Sequence, residues 1–506
     1  MNTLGNLLQN RANESPTLEA FRSNLFCYTF KTYNERVNQL AHFLLDHHVQ
    51  KGDRIAILCK NNHPFPTILM ATLKIGAIAV PLSWQLTSYE LKDILENFQP
   101  KIIFYDREFS DSLTSYHPSS YFTVEVGVED NTTEEYDRIF VQYPSSEPNV
   151  NVNEQDIAMI LFTSGTTGNV KGCIFKHGPL FSYISKTKTQ TTQSNGKRFL
   201  ASHPFYHMSS ITTILITIYN GITLIPLTNP TPAKIWDAIE EHQVTMMLAF
   251  PSTYIYMLEE WKAREKQGKN TSLLQIAFSG GTKVPANLIL EYKKMGIPML
   301  QGYGSTESWV VTRWHPGMGY DKVESVGKPF DDVQVKIVSP DSGKEVGTGE
   351  IGEILVKSPY MFEGYWNNPT ATEKILKNGW LHMGDSGKID EEGFLYVLGR
   401  YKDVIVYGGD NIYPDQVEEV IEQIEGILEA AVIGVPDPIF GEKPRAYVVK
   451  DKTSTVTEEE IKKYCRERLA SYKVPEICLV DTLPKNYLGK VLKRVLKDEA
   501  EKDVQK

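Results

Sequence analysis

Cysteine is scarce in this chain: five residues in 506, Cys27, Cys59, Cys173, Cys465 and Cys478, at no regular spacing. An odd, scattered set of thiols builds neither a disulfide framework nor a structural zinc site. It fits a reducing compartment, so a cytoplasmic location is expected. Concentrated basic runs are missing too. The formal net charge is −10, and Lys490, Lys493, Arg494 and Lys497 near the C-terminus alternate with apolar residues and acids. That pattern reads as a terminal element with a solvated face and excludes the basic footprint of a nucleic-acid binder. No long apolar run occurs. The stretch from Ile211 to Leu227 is interrupted by threonines, Asn220, Gly221 and Pro226, too short and too polar to span a bilayer. It is expected to be buried helix and strand. The opening residues, Met1 to Leu8, lack the charged start and apolar core of a signal peptide. There is no internal repeat and no low-complexity segment.

What is present is an ordinary globular balance, 41% hydrophobic and 23% charged residues. The length calls for two or more domains. Short β-rich runs alternate with helical patterns through most of the sequence. Arg54–Cys59, Ala77–Pro81, Lys101–Tyr105, Ile157–Phe162 and Gln275–Ser279 read as buried strands, and Thr67–Ile75 as a helix closed by Gly76. Strands alternating with helices imply βαβ units and mostly parallel sheets, with ligands at the carboxyl ends of strands. From Val333 the texture changes: Val333–Val338 and Gly349–Val356 predict antiparallel strands in a small barrel-like subdomain. Another change falls at Gly399-Arg400-Tyr401-Lys402-Asp403. A compact α+β stretch follows, with helices at Pro414–Ile424 and Thr457–Ala470 and strands at Ala430–Gly434 and Arg445–Val449. A domain boundary is expected at residues 400 to 402.

The segment Ile160-Leu-Phe-Thr163-Ser164-Gly165-Thr166-Thr167-Gly168-Asn169-Val170-Lys171-Gly172 carries the strongest local signal. A buried strand runs into hydroxyls and glycines and ends on a lysine. Glycines let backbone N–H groups approach an anion, hydroxyls add donors and the lysine adds charge. It is not the G-x-x-x-x-G-K-[ST] phosphate loop, because that spacing is absent. Taken alone it serves equally as a Ser/Thr/Gly surface loop.

This segment resembles the signature of the adenylate-forming superfamily: acyl-CoA synthetases, peptide-synthetase adenylation domains and luciferases. The resemblance extends along the chain. Thr32-Tyr33-Asn34-Glu35, Lys51-Gly52-Asp53-Arg54 and Gly76 to Pro81 are similar to the early motifs. Gln301-Gly302-Tyr303-Gly304-Ser305-Thr306-Glu307, Ser325 to Pro329, Gly379-Trp380 with Gly384-Asp385, Gly399-Arg400, and Leu483-Pro484-Lys485 with Gly489-Lys490 follow in the family's order. The resemblance implies an α/β N-terminal domain over residues 1–399, with two βαβ-type sheets and a small β-barrel-like subdomain. A hinge at 400–402 and a small mobile α+β domain over 403–506 complete the expectation.

It also implies an ATP-dependent, AMP-forming enzyme that makes an acyl-adenylate and passes the acyl group to a thiol. By resemblance, Thr163, Ser164, Gly165, Thr166, Thr167, Gly168 and Lys171 would cradle the β- and γ-phosphates. Glu307 and Thr167 would hold Mg²⁺, and Thr306 would contact the α-phosphate. Tyr303 would stack on adenine in a pocket shared with Gly280, Gly281, Gln301 and Gly302. Asp385, assisted by Arg400, would accept the ribose hydroxyls. Lys490 would bridge the substrate carboxylate and the α-phosphate, and Lys402 would be the hinge. Gly408 and Gly409 would let the pantetheine arm of coenzyme A pass close to backbone. His207, Met208, Phe250, Tyr254 and Trp309 would border the acyl pocket, while His177 and His203 read as structural. Against the family pattern, Val170 stands for a usual proline, Val406 for a lysine, Gln416 for a glutamate and Leu488 for a serine.

Peptide-synthetase adenylation domains place an aspartate where this chain has Tyr206, which argues against an α-amino acid. A fatty acid is the first expectation and an aryl acid the second. No carrier domain follows the C-terminus, so CoA is the simplest acceptor, with a carrier protein as the alternative. A luciferase-like oxygenase and a non-catalytic nucleotide or acyl sensor are the remaining readings. Neither the oligomeric state nor the particular acid is legible.

Overall fold

The computed structural model describes residues 2–114, 121–128, 131–163, 170–187, 196–265, 273–407, 410–437, 439–486 and 489–504. Among them, four sheets organise the chain. The first has parallel middle strands, Phe122–Val128, Ile102–Asp106, Arg54–Leu58, Ile78–Pro81 and Ile157–Thr163, with Asn131–Thr132 and Lys171–Lys176 antiparallel at its edges. The second is larger. Its parallel run passes through Glu19–Arg22, Thr223–Pro226, Arg198–Ala201, Met246–Ala249, Ile276–Ser279 and Met299–Ser305, and Trp309–Trp314 and Lys328–Pro329 are antiparallel at one end. Parallel strands need crossovers that bury both faces. One core duly contains residues of both sheets together with the helices Phe30–Asp46, Pro64–Lys74 and Met208–Asn220.

Pro64–Lys74 shows why this arrangement follows from sequence. Proline at its first turn fixes the start, and the chain leaves the helix through Gly76, whose φ is +71°. Every residue of the helix is buried, as expected for one that is apolar all round. The exception in chemistry is Lys74. Its ammonium donates to Asn34 Oδ1 at 2.8 Å, Asn38 Oδ1 at 2.6 Å and Glu147 Oε2 at 2.7 Å. Asn34 and Asn38 also donate to Glu147. This knot ties the irregular stretch after helix Glu134–Gln142 onto helix Phe30–Asp46, just before the chain enters Ile157–Thr163. Burial alone lowers the Lys74 pKa; Glu147 opposes that.

The third sheet holds Gln334–Val338, Gly352–Lys357, Trp380–Ile389, Leu376–Lys377 and Leu395–Arg400, all antiparallel. It stands where the barrel-like subdomain is expected. The fourth begins at Ile405–Tyr407 and runs to Glu476–Leu479; the turn Tyr401–Asp403 lies between the two sheets. Its two long strands, Ile427–Asp437 and Gly441–Lys450, extend beyond the predicted Ala430–Gly434 and Arg445–Val449. Their outer ends carry Pro, Gly and charged residues that the antiparallel ladder still pairs. Helix Glu458–Arg468 starts on a capping box, Thr457 with Glu460, and Lys493–Val504 closes the chain by burying Leu496 and Ala500. Ile211–Leu227 is the end of helix Met208–Asn220 plus strand Thr223–Pro226. No helix of the described residues is long and apolar enough to cross a membrane.

Replacing Lys74 with Met should leave Glu147 and two amides without their shared donor. The expected loss is about 3–5 kcal/mol of stability, read as a lower urea midpoint. A loss below about 1 kcal/mol, the level of a surface pair, would contradict the assigned role of the knot.

Candidate active site

Strand Ile157–Thr163 pairs with Lys171–Lys176, and Thr163 lies opposite Lys171. These two residues are the gateposts of the loop between them. Ser164, Gly165, Thr166, Thr167 and Gly168 lie outside the described residues, as does Asn169. Lys171 Nζ stands 5.2 Å from the Tyr365 ring centroid, and the Tyr365 hydroxyl donates to Glu307 Oε1 at 2.7 Å. Glu307 is further fixed through its carbonyl, which accepts from Phe362 N–H at 2.8 Å. Burial first, then the Glu307 carboxylate, pushes the Tyr365 phenol well above its ordinary pKa, so it stays a donor. Tyr365 is a site residue that no sequence pattern announced; it comes from the irregular segment after Gly352–Lys357.

Thr306 and Glu307 sit on the turn between Met299–Ser305 and Trp309–Trp314, which the Ser305–Ser308 hydrogen bonds close. Trp309 leaves it at φ +59°, a costly value for a bulky residue. Glu307 is thereby held next to Lys171 and Tyr365. Among the described residues no cluster of three His, Cys, Asp or Glu could hold a metal. A single carboxylate beside hydroxyls suits Mg²⁺, which keeps waters and takes its other ligands from phosphates.

A second knot forms around Asp385. Its carboxylate accepts from Tyr303 Oη at 2.6 Å and pairs with Arg400 Nε at 2.9 Å. Arg400 also donates to the Met383 carbonyl. Asp385 and Arg400 are direct partners across strands Trp380–Ile389 and Leu395–Arg400. Burial raises the Asp385 pKa, and Arg400, Tyr303 and Lys490 pull it back. Lys490 comes from the C-terminal part of the chain. Its side chain is exposed to water. Burial lowers its pKa, and so does Arg400, while Asp385 and Asp403 oppose the fall. Its loop is seated tightly: Gly489 has φ +72°, and a Cβ there would lie 2.9 Å from Ser252 Oγ. Lys283 adds further contacts to the same domain, donating to the Asp415 carbonyl and pairing with Glu419 at 3.2 Å.

On the acyl side, His207 precedes helix Met208–Asn220. Burial lowers its pKa to about 4, so the ring is neutral at neutral pH. Phe250 lies 6.3 Å from His207 and 3.7 Å from His203, centroid to centroid. Gly281 (φ +82°) passes so close that a Cβ would meet Phe250 Cε1 at 2.8 Å, so Phe250, Gly281 and His207 share one corner. Gly280 and Gly302 also adjoin, since a Cβ on Gly280 would meet the Gly302 carbonyl at 3.2 Å. The corner is positioned by a residue not anticipated, Asn61. Its amide donates to the Ala201 and His203 carbonyls and accepts from Phe205 N–H at 2.9 Å. Met208 is half-buried against the same core.

Three expected residues are committed to packing or to backbone carbonyls. Tyr254 is fully buried in the second core, on the far side of the large sheet, and donates to the Met247 carbonyl at 3.1 Å. It faces away from His207 because helix Pro251–Glu265 turns that position into the sheet. Gln301 is committed to the Val323 and Ser325 carbonyls. Trp309 is sealed, with its ring 5.1 Å from Phe175. His177 and His203 are buried, with pKa values lowered by burial to about 4 and about 3. Lys402 is exposed on the turn Tyr401–Asp403. Gly408 and Gly409 lie outside the described residues.

With this geometry in hand, comparison with known proteins is informative. The family model for the AMP-binding enzyme matches residues 8–366, and that for the AMP-binding enzyme C-terminal domain matches residues 416–490. The chain is 46% identical to the putative acyl-CoA ligase YdaB of Bacillus subtilis (strain 168), over 99% of both chains. It is 33% identical to the long-chain-fatty-acid–CoA ligase FadD13 of Mycobacterium tuberculosis, again over 99% of both. The structure of o-succinylbenzoate coenzyme A synthetase (MenE) from Bacillus subtilis, in complex with ATP and magnesium ion, superposes with a TM-score of 0.83. That match has 29% identity and covers 98% of this chain and 99% of the other.

Tyr365→Phe keeps the ring beside Lys171 and removes the donor to Glu307. Magnesium-dependent pyrophosphate release should fall roughly 10- to 100-fold, the size of a lost hydrogen bond to a charged group. Unchanged release at limiting Mg²⁺ would separate Tyr365 from the site.

Proposed function

We propose, for a chain that belongs to the AMP-binding enzyme family and is an ATP-dependent, AMP-forming acid–CoA ligase, that its acid has an apolar body, a fatty acid first, and that Lys490 and Asp385 are the centre of its adenylation site. What supports this most is the placement of Lys490. It hangs from the last domain yet feels the charges of Asp385 and Arg400 in the first.

A carboxylate is a poor electrophile, and adenylation makes it a good one. One substrate carboxylate oxygen attacks the α-phosphorus, and the bond to the β-phosphate oxygen breaks to release pyrophosphate. Negative charge accumulates on the α-phosphate as it does so. In our reading the Lys490 ammonium bridges the incoming carboxylate and that phosphate, and Thr306 donates to it. Asp385 accepts from the ribose hydroxyls, held in place by Arg400 and Tyr303. Thr163, Lys171 and the loop between them receive the departing phosphates. Mg²⁺, held by Glu307 and hydroxyl oxygens of that loop, supplies charge neutralisation on the phosphates. In the second half-reaction the CoA thiolate attacks the acyl carbonyl and AMP leaves. We assign the change between halves to a rotation about Lys402 that withdraws Lys490.

The acid class follows from the corner around His207. Burial lowers the pKa of that ring to about 4, and Tyr206, not an acid, stands beside it in the chain, which argues against an α-ammonium on the acid. The half-buried neighbours Met208, Ile216, Leu248 and Phe278 are apolar, which favours a fatty acid. The half-buried Tyr183 ring, edge-on to Phe330 at 6.1 Å, keeps an aryl acid as the second reading. We place the enzyme in the cytoplasm, since its five cysteines are free thiols, and take CoA rather than a carrier protein as acceptor.

Pyrophosphate release across fatty, aryl and amino acids, with and without CoA, tests this directly. A CoA-stimulated signal with fatty acids is expected, and a signal confined to amino acids would overturn the acid class. Lys490→Ala should abolish adenylation and spare thioester formation from supplied acyl-AMP, whereas Lys402→Pro should do the reverse. Equal loss of both halves in either variant argues against the alternation. Because the Lys490 pKa is depressed, the ammonium is lost as pH rises through that lowered value. Adenylation should therefore decline at lower alkaline pH than an ordinary lysine allows, and Lys490→Arg should move the decline upward.

A further inference from the structure

The two faces of the large sheet differ in one respect. On the face packed against helices Pro251–Glu265 and Ala286–Lys294, residues such as Met247, Ala277, Met299 and Trp314 are fully sealed. On the opposite face, towards helices His177–Lys186 and Met208–Asn220, their strand neighbours Leu248, Phe278, Leu300, Gly302 and Val310 are all only half-buried. Strand register puts Leu248, Phe278 and Leu300 side by side, and Gly302 directly opposite Arg313. Gly302 has no side chain, so Arg313 meets none from its cross-strand partner; a Cβ on Gly302 would meet the Thr312 carbonyl at 3.2 Å.

Half-buried Arg313 brings a charge to that apolar face. Among the described residues no carboxylate or carbonyl accepts a hydrogen bond from its guanidinium, and it has no ion pair. Its recorded neighbours are the Phe330 ring, 5.4 Å from Cζ, and the Tyr183 hydroxyl. Arg36 also lacks an ion pair, but it is sandwiched, 3.6 Å from the Phe140 ring and 4.9 Å from that of Tyr28. Arg313 has no such sandwich. Burial lowers its pKa, and the Tyr183 hydroxyl opposes that. A half-buried guanidinium costs stability unless something anionic joins it, and its planar fork matches a carboxylate bidentately.

We propose that Arg313 is a specificity-determining residue that binds a second carboxylate, at the far end of the acyl chain, so that the substrate is an acid with an apolar body and an anionic terminus. This rests on the acid–CoA ligase reading and narrows its acid. Arg313 pairs with Gly302, and Thr306, beside the reacting phosphate in that reading, is four residues further on. At roughly 3.3 Å per residue the two ends of the acid are therefore on the order of 10 Å apart. A straight-chain dicarboxylic acid of medium length fits that spacing, and a short one such as malonate does not.

The test uses matched pairs of acyl-sulfamoyladenosines, one ending in a methyl group and the other in a carboxylate, binding to the full-length enzyme. The wild type should bind the carboxylate-ended analogue roughly 10- to 100-fold more tightly at one of the medium chain lengths. Arg313→Met should erase that preference while binding the methyl-ended analogue as well as before, and Arg313→Lys should retain part of it. The melting temperature of Arg313→Met should not fall, since the variant removes an unpaired charge; a purely structural arginine would lower it. Equal wild-type affinity for both members of every pair, or a preference that survives in Arg313→Met, overturns the proposal. Turnover of the same acids with CoA separates the two claims. Thioester formation from monocarboxylic acids alone sinks Arg313's role and keeps the ligase. Absence of turnover with every acid counts against the acid class, while analogue binding still decides Arg313.

Discussion

The carboxylate of Asp385 is where the structure is tied together. It belongs to the small antiparallel sheet, receives a hydrogen bond from Tyr303 on the large sheet, and pairs with Arg400, the last residue before the chain changes domain. The charge of Lys490 acts on it as well. A buried carboxylate survives only when its charge is matched. Matching it here ties the large sheet, the small sheet and the interdomain turn to one another. A group that is both well held and short of full neutralisation suits the reception of ribose hydroxyls.

A second constraint works on the opposite side. In the proposed mechanism Glu307 presents oxygen to a cation without being swallowed by Lys171 nearby. Tyr365 manages that separation, lying between the two with its ring towards the ammonium and its hydroxyl on the carboxylate. The acyl side is governed by apolar shape rather than charge. Asn61 hooks the turn before His207 onto the first sheet, so the corner of the acyl site is held by both sheets at once. The same economy leaves Arg313, among the described residues, without an ion pair on that face.

Much of this was legible in the residues. The strands Arg54–Leu58, Ile78–Pro81 and Ile157–Thr163 are continuous apolar runs because both faces are covered, and such runs are visible without a structure. Asp385, Arg400 and Lys490 were legible through motif resemblance, since each is bound to a short local pattern. Tyr365 and Asn61 were not, because their roles arise from contacts across long sequence separations that no period records. Tyr254 was misjudged for a related reason. A motif places a residue on a helix but does not say which face meets the sheet, and Pro251–Glu265 turns Tyr254 into the second core. Gln301 is likewise adjacent to the site in sequence while its amide serves the Val323 and Ser325 carbonyls.

The central proposal is that the charge of Lys490 acts beside Asp385 in one domain arrangement and that this arrangement must be left before the thioester forms. Lys283 and Glu419 meet across the same interface. Placing cysteines at both positions, in a chain whose exposed Cys27 is replaced by Ser, allows a short cleavable cross-linker to hold the domains as they stand. The account predicts that the cross-linked enzyme releases pyrophosphate for one turnover and makes no acyl-CoA until the linker is cut. Acyl-CoA formation at the uncross-linked rate would contradict it.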